Sequence, residues 1–385
     1  EYNSRFDARV TRYALDRNFV ETDERGRRNG NSRWGMMEML RLTRALRPEG
    51  IEWPDHEPGR PGFKLEHLTA ANGLAHEAAH DALSDVTTTI AVAKLVKDKQ
   101  PRLFDYVVNM RSKKAVGEML NLSDRKPFFH ISGMLPRAHM YGAIMMPLAQ
   151  HPTNSNGIIC IDLSFDPEVL INLSAEEIAH RVFTTSESLG NGEVRIPLKV
   201  VHINKAPVVT THKLIDEAAA KRLDIDVQRC ELHWQRLNQI DLSAKLAAVF
   251  NSQSFPEKPE AEQRLYNGFL PNADKHLLEE VRQASFKDLT EHGFHFSDER
   301  YNHLLFSYRA RYFNGSLSDQ ERSVWAENCR WRLTDEKSGY LTIEQQGAEI
   351  AQLLADEGLS AEKVAILESL KHWASQVNDE FSLSN

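Results

Sequence analysis

The sequence predicts an α/β segment, then a small antiparallel β-barrel with helical insertions, then an all-helical domain. Three observations carry that prediction. Up to about residue 96, apolar residues recur at helical spacing between polar loops. From about 127 to 210 the chain turns to β-branched and aromatic runs bounded by Pro, Asn and Gly. Past Pro259 the helical spacing returns.

The elements follow in chain order. Phe6, Val10, Ala14 and Phe19 set out a first helix over 6–19, followed by a polar loop at 21–30. Trp34–Leu46 is helical and stops at Arg47-Pro48-Glu49-Gly50, where proline and glycine break the period. The three prolines of 53–62 mark an irregular stretch, and Phe63–Gly73 is a short helix ended by Asn72-Gly73. Asp81–Val96 is amphipathic, with Leu83, Val86, Ile90, Ala93 and Val96 on one side. Strand-like runs come next, at 127–134, 141–148, 157–163 and 196–209. Residues 252–259 read as a linker, and the last helix has Ser360 as its N-cap and a stripe of Leu367, Leu370, Ala374 and Val377. The domain boundaries expected are 1–95, 101–254 and 258–385.

At 385 residues, with 41% hydrophobic and 26% charged content, the composition is that of a globular chain with room for several cores. No apolar run is long enough to cross a bilayer. Cys160, Cys230 and Cys329 stand apart, with neither a disulfide framework nor a zinc spacing, which suits a reducing, cytoplasmic setting. The net charge of −8 conceals a gradient. Residues 1–50 hold eleven arginines against eight acids, and residues 94–137 hold ten basic residues against four acids. The last 46 residues hold eight acids and two lysines. A basic front with an acidic tail can attract a polyanion, because phosphate responds to the local field; solvated helix faces give the same pattern.

The chemistry centres on His80 and Asp85. Residues five apart on a helix point about 140° away from each other. The pair can therefore share a site only if His80 lies on the loop before the helix and Asp85 in its first turns, with Asp81 as N-cap. In that arrangement a carboxylate can ligate a hard divalent cation while a histidine titrating near neutrality takes a proton from water. The other reading is a capping Asp81, a surface Asp85 and a histidine bonded to a loop carbonyl.

A longer pattern surrounds the pair. Tyr2-Asn3-Ser4-Arg5-Phe6-Asp7, Asn31-Ser32-Arg33-Trp34, Ala45-Leu46-Arg47-Pro48-Glu49-Gly50-Ile51, Leu65-Glu66-His67-Leu68, Ala79 to Val86 and Gln100 to Tyr106 follow one another in order. Val201-His202-Ile203-Asn204-Lys205, Leu265-Tyr266-Asn267-Gly268-Phe269 and Tyr308-Arg309-Ala310-Arg311 continue it. This ordered set resembles the bacterial exodeoxyribonuclease I family, the 3′→5′ single-stranded-DNA exonucleases of the DEDDh superfamily.

The resemblance implies the C-terminal part of an RNase H-like exonuclease domain, an SH3-like barrel domain with helical insertions and a C-terminal helical domain. It implies Mg²⁺, with Mn²⁺ as a substitute, at a two-metal site to which Asp7 and Asp85 contribute, and it makes His80 the general base. Asp7 is thereby both a metal ligand and a catalytic residue. The family's first Asp and Glu have no counterpart, since the chain starts six residues before Asp7 and without Met. The expectation is a fragment that is inactive alone, with a non-catalytic fragment binding single-stranded DNA or its binding protein as the alternative function. Lys64 stands where the family has an arginine beside the substrate, keeping the charge but losing the planar fork. Arg12, Arg41 and Arg47, with Asn156, Lys199, Asn204 and Lys205 of the barrel, are the implied DNA contacts. Arg47 and Tyr106 match the pocket that takes the C-terminal tail of the single-stranded-DNA-binding protein, and Ile215 stands near where the family has a carboxylate-clamping arginine. A monomer is expected. Trp34 reads as core rather than as a base platform, and Arg309 and Arg311 either bind DNA or hold the helical domain to the barrel.

Overall fold

The structure is a computed structural model that describes residues 2, 4–22, 26, 29, 31–32, 34–57, 60–74, 82–252, 258–291, 293–356 and 358–381. Most of the expected linker, residues 253–257, lies outside that set. The chain forms two compact units, one of residues 1–8 and 26–255, the other of residues 9–25 and 256–385. Helix α1 (Ser4–Asp16) begins in the first unit and ends in the second.

In the first unit come α2 (Met36–Leu46), a ribbon of β1 (Asp55–Glu57) and β2 (Arg60–Pro61), α3 (Leu65–Ala71), α4 (Ala82–Lys99), α5 (Pro101–Asn109) and α6 (Lys113–Met119). An open, half-barrel sheet follows, built from β3 (Phe128–Ile131), β4 (Gly142–Gln150), β5 (Gly157–Asp162), β6 (Leu198–His202) and β7 (Val208–Thr211). Its order is β6-β5-β4-β3-β7 and every pairing is antiparallel. Two helices, α7 (Pro167–Asn172) and α8 (Ala175–Phe183), are inserted between β5 and β6. Three more, α9 (Glu217–Leu223), α10 (Val227–Asn238) and α11 (Ser243–Asn251), follow β7.

The sheet is buried on both faces, and the period of two decides which side chain goes where. Phe129, Ile131, Ile144, Met146, Ile159 and Ile161 join the large core shared with α2, α4, α5 and α8 to α11. Phe128, Ala143, Met145, Ile158 and Cys160 join a smaller core with Val116 and Leu120, at and just past α6, and with Val201 and Val209. Close packing also fixes a glycine: a Cβ on Gly142 would run into the Phe129 ring. The run at 196–209 is two strands rather than one. Lys205 N–H closes a turn onto the His202 carbonyl, and Ala206 takes a left-handed φ of 43° just before Pro207, which has no N–H for a ladder.

The two N-terminal helices depart from their sequence stripes. Helix α1 stops at Asp16, short of Phe19, which has φ 57° and is wholly buried against Phe296, Tyr301 and Tyr308. Phe6 and Val10 are exposed. On α4 the buried residues are Thr88, Val92 and Val96, while Leu83, Val86 and Ile90 are exposed. Ala93 is half-buried and packs against the same core as Val96, so the residues that the sequence groups together divide between a covered and an exposed side. This helix is apolar on two faces, and only one is covered among the described residues.

The second unit is helical: α12 (Lys275–Gln283), α13 (Phe286–Glu291), α14 (Glu299–Tyr312), α15 (Asp319–Thr334), α16 (Ile343–Leu354) and α17 (Ala361–Glu380). Ser360 caps α17, its hydroxyl accepting from Lys363 N–H, and Ala374 is the buried residue of its stripe. Phe129→Ala should cost about 3–5 kcal/mol in denaturant unfolding, the range for emptying a packed aromatic site. Ile90→Lys should stay within about 0.5 kcal/mol, as an exposed substitution does. A large loss for Ile90→Lys would show that its face is covered after all.

Candidate nucleic-acid interface

The two candidate acids share a local setting. Asp7 lies in the first turn of α1 and Asp85 in the first turn of α4, where the helix dipole favours a carboxylate. Asp7 is exposed. Asp85 is half-buried and sits three residues before Thr88, so it carries the inner stripe of Thr88, Val92 and Val96 to the start of the helix. His80 and Asp81 lie outside the described residues. Both carboxylates are hard donors of the class that Mg²⁺ prefers. Among the described residues, however, no group of three or more His, Cys, Asp or Glu side chains could hold a metal ion, so Asp7 and Asp85 alone do not make a site.

The sheet edge brings the predicted barrel residues together. Lys199 lies on β6, and the β6–β7 turn carries Asn204 and Lys205, both exposed. Asn156, just before β5, is held beside them because its carbonyl accepts from Ile203 N–H at 2.9 Å. Its side-chain Oδ1 is buried without a hydrogen-bond partner. Lys199 Nζ reaches the thioether of Met134, which is itself exposed, at 3.6 Å.

The residue that sequence reasoning overlooked is His202, inside the quoted Val-His-Ile-Asn-Lys motif. Burial, and then the charges of Lys205, His151 and Lys199, push its pKa down to about 4. A half-buried neutral imidazole therefore stands among cations. His151 is also pushed down by burial, and its ring packs on Phe250 at 5.3 Å. The signal available in the sequence was a histidine two and three residues from Asn204 and Lys205, in the same turn.

The remaining predicted contacts lie on other elements. Arg41 is on α2, its guanidinium 4.2 Å from the Tyr141 ring centre and 5.8 Å from that of Phe63, with Nη1 donating to Glu38 at 3.4 Å. Its Nε is buried without a hydrogen-bond partner. Lys64 precedes α3, exposed and 3.8 Å from Glu66. Arg12 is on α1 in the second unit. Arg47 follows α2, donating to the Leu214 carbonyl at 3.4 Å and to Asp216 at 3.3 Å, on either side of Ile215. Tyr106 on α5 has its hydroxyl buried with no hydrogen-bond partner.

Trp34 packs against the main core, edge-on to Phe104 at 5.5 Å. Arg309 pairs with Glu321 at 2.8 Å and Arg311 with the buried Glu262, partners that belong to the helical unit rather than to the barrel. Both arginines hold the helical unit together internally. A cavity of about 580 Å³ lined by Leu122, Arg125, Gln150 and Asp241, among others, contains none of the predicted site residues.

Comparison with known proteins gives the family of this arrangement. Residues 111–252 match the family model of the exonuclease I SH3-like domain, and residues 259–377 that of the exonuclease I C-terminal domain. The chain is 40% identical to the exodeoxyribonuclease I of Haemophilus influenzae, over 96% of this chain and 77% of that protein. With the exodeoxyribonuclease I of Escherichia coli the identity is 37%, over 97% and 78%. Among solved structures, a moderately thermophilic exonuclease I from Methylocaldum szegediense superposes with a TM-score of 0.91 at 40% identity, covering 99% of this chain and 79% of that one. A zinc-bound complex of E. coli exonuclease I with single-stranded DNA gives 0.88 at 37%, covering 99% and 79%. A complex of exonuclease I with the SSB C-terminal peptide gives 0.87 at 36%, covering 98% and 78%.

The His202 ring should titrate with a midpoint near 4 in an NMR pH series. Lys205→Gln should move that midpoint upward, since it removes a like charge. An unchanged midpoint in the variant would remove Lys205 from the causes.

Proposed function

The chain belongs to the exodeoxyribonuclease I family, a family of metal-dependent nucleases, and from that premise we propose that it acts on single-stranded DNA from the 3′ end and releases 5′-mononucleotides. The observation that carries the reading is identity of 37–40% over 96–97% of the chain. Residues 1–95 would belong to the exonuclease domain, 101–254 to the SH3-like barrel and 258–385 to the helical domain.

A single strand needs a cationic track for its phosphates and flat faces for its bases. Lys199, Asn204, Lys205 and Asn156 supply such a track on the barrel, and Arg41, Arg47, Arg12 and Lys64 are the further contacts proposed. Burying Asn156 Oδ1 and Arg41 Nε without partners carries a desolvation cost. Neutral His202 lets the track hold Lys199 and Lys205 close together without adding a third charge.

Mg²⁺ is the ion proposed, on the hard oxygen donors Asp7 and Asp85; it would polarise the phosphodiester and activate the attacking water. Two carboxylates do not complete that site. His80, from its place in the motif, is proposed as the base that takes the proton from that water. The cytoplasm is the proposed compartment, on the three isolated thiols.

The partner proposed is the acidic C-terminal tail of the single-stranded-DNA-binding protein, at Arg47 and Tyr106. Ile215 offers this peptide no charge, and Asp216 competes for the Arg47 guanidinium.

With the chain joined to a segment carrying the family's first Asp and Glu, release of mononucleotides from a labelled single strand in Mg²⁺ should fall at least about 100-fold in His80→Ala and in Asp85→Ala, as expected when a proton acceptor or an ion ligand is lost. Equal release by parent and variants would overturn the roles. Asp216→Asn keeps the oxygen that caps Ala219 N–H at 2.8 Å and removes the competing charge. It should tighten binding of the acidic tail peptide by about two- to five-fold in calorimetry, the scale of an exposed ion pair. Weaker binding would mean that Asp216 assists the site.

A further inference from the structure

The turn at 132–135, which follows β3, sets a methionine in the open beside the cationic rim of the sheet. All nine methionines are among the described residues, and Met134, at 76% exposure, is the one left exposed. Met36, Met39, Met145 and Met146 are buried, and the rest are half-buried. A thioether side chain gains little from water and is ordinarily spent on core packing.

The turn that presents Met134 is firmly held. Ser132 is buried, its N–H donating to the Tyr141 carbonyl at 2.9 Å, and Leu135 N–H closes the turn onto the Ser132 carbonyl at 2.9 Å. Met134 N–H donates to the Ser132 hydroxyl at 3.3 Å, and Leu135 packs into the smaller core. Anchors at 132 and 135 thus fix the backbone that holds Met134 outward.

Two cations close on this turn. Lys199 Nζ donates to Met134 Sδ at 3.6 Å, and a Cβ on Gly133 would meet Arg41 Nη1 at 2.8 Å. A thioether sulfur is a weak acceptor, so it holds the ammonium only loosely. Oxidation changes that, because a sulfoxide is polar and its oxygen accepts strongly.

We propose that Met134 is a modification site, oxidised by a hydroperoxide to the sulfoxide, which then holds Lys199 away from an anionic ligand. The Sδ lone pair takes the terminal hydroperoxide oxygen and the O–O bond breaks. The proton of that oxygen passes to the leaving oxygen, giving water or an alcohol. Sulfur is oxidised by two electrons and the peroxide is reduced by two. At the Sδ–Nζ separation seen, an oxygen added to sulfur can lie within hydrogen-bond reach of the ammonium. Hydrogen bonds from a charged donor are the strong ones, so the sulfoxide competes with phosphate for Lys199. Thiol-dependent reductases return the sulfoxide to the thioether, which makes the change reversible. The inference rests on the reading of Lys199 as a phosphate contact and adds redox control to it.

The test takes two readouts from one sample. After brief hydrogen peroxide treatment, peptide mass spectrometry should find the gain of one oxygen at Met134 ahead of the other methionines. Fluorescence anisotropy of labelled oligo-dT in EDTA should then show about two- to five-fold weaker binding, the scale of one exposed ion pair. The slope of log affinity against log salt should shrink by about 0.7, as for one phosphate contact on a single strand. Met134→Leu, close to methionine in volume, should bind like the untreated parent before and after peroxide. Lys199→Ala should bind more weakly at the outset and respond no further. Sulfoxide reductase with a thiol should restore the parent's affinity. Oxidation at Met134 no earlier than elsewhere, or an equal loss in Met134→Leu, would overturn the inference. Unchanged binding by the oxidised parent, with Lys199→Ala still weak, would overturn it and leave the single-strand reading intact. Full affinity in Lys199→Ala would overturn the Lys199 contact and the inference with it. No oligo-dT binding by the parent chain would overturn both readings.

Discussion

Two-sided burial of one five-stranded sheet is the constraint on which the first unit depends. Strands β3, β4 and β5 are buried on both faces and mostly apolar, so a polar group there needs a partner of its own, as His130 has in the Val208 carbonyl at 2.9 Å. Charged groups are left the edges and the turns. The edge strand β6 is partly exposed along four of its five residues, and Lys199 and His202 lie there, continued by Asn204 and Lys205 in the turn. The position of these polar groups is therefore a consequence of the core: alternation fills two hydrophobic layers and leaves the rim of the sheet to charged side chains.

Cation placement separates the two units more sharply than net charge does. In the helical unit the arginines are used for cohesion: Arg309 on Glu321, Arg311 on Glu262, and Arg332 on Glu260 while lying between the rings of Trp325 and Tyr340. On the barrel rim the nearest charges around His202 are of like sign. Crowding like charges is unfavourable in the free protein and is relieved by an anion. A histidine is well suited to such a position, because losing its proton removes one of the repelling charges while the ring remains a hydrogen-bonding group. The formal charge of −8 is thus compatible with a locally cationic rim.

Legibility in the sequence tracked the kind of signal. Strands β3, β4 and β5 were readable because β-branched and aromatic runs of that length, bounded by Pro, Asn and Gly, have few other solutions. The split of 196–209 was not, since Pro207 and the left-handed Ala206 act through backbone geometry that a hydrophobic run conceals. Phe19 was misjudged for a similar reason: it fits the helical period of Phe6 and Val10, but the chain leaves the helix at Asp16 and buries the ring elsewhere. Of the candidate site, the barrel group was legible as a motif, whereas His202 acquires its character from burial and from charges brought in by other segments. Arg309 and Arg311 were ambiguous because an arginine in an aromatic-rich helix suits DNA and ion pairing equally until its acid partners, 12 and 49 residues away, are located.

Helix α4 shows how two patterns can be superposed on one segment. Leu83, Val86 and Ile90 form the pattern a sequence reader sees first, and it is the face left open among the described residues. Asp85, Thr88, Val92 and Val96 form the inner line, where a hydroxyl is buried beside two valines and the carboxylate comes at the end nearest the helix N-terminus. A carboxylate is a hard oxygen donor of the kind a divalent cation takes. A helix apolar on both sides is suited to lie between two layers. Covering the outer face would rigidify the first turn that carries Asp85 without touching the carboxylate itself. Packing of the outer stripe and precision of the acidic residue are therefore coupled through the helix, although the two faces share no side chain.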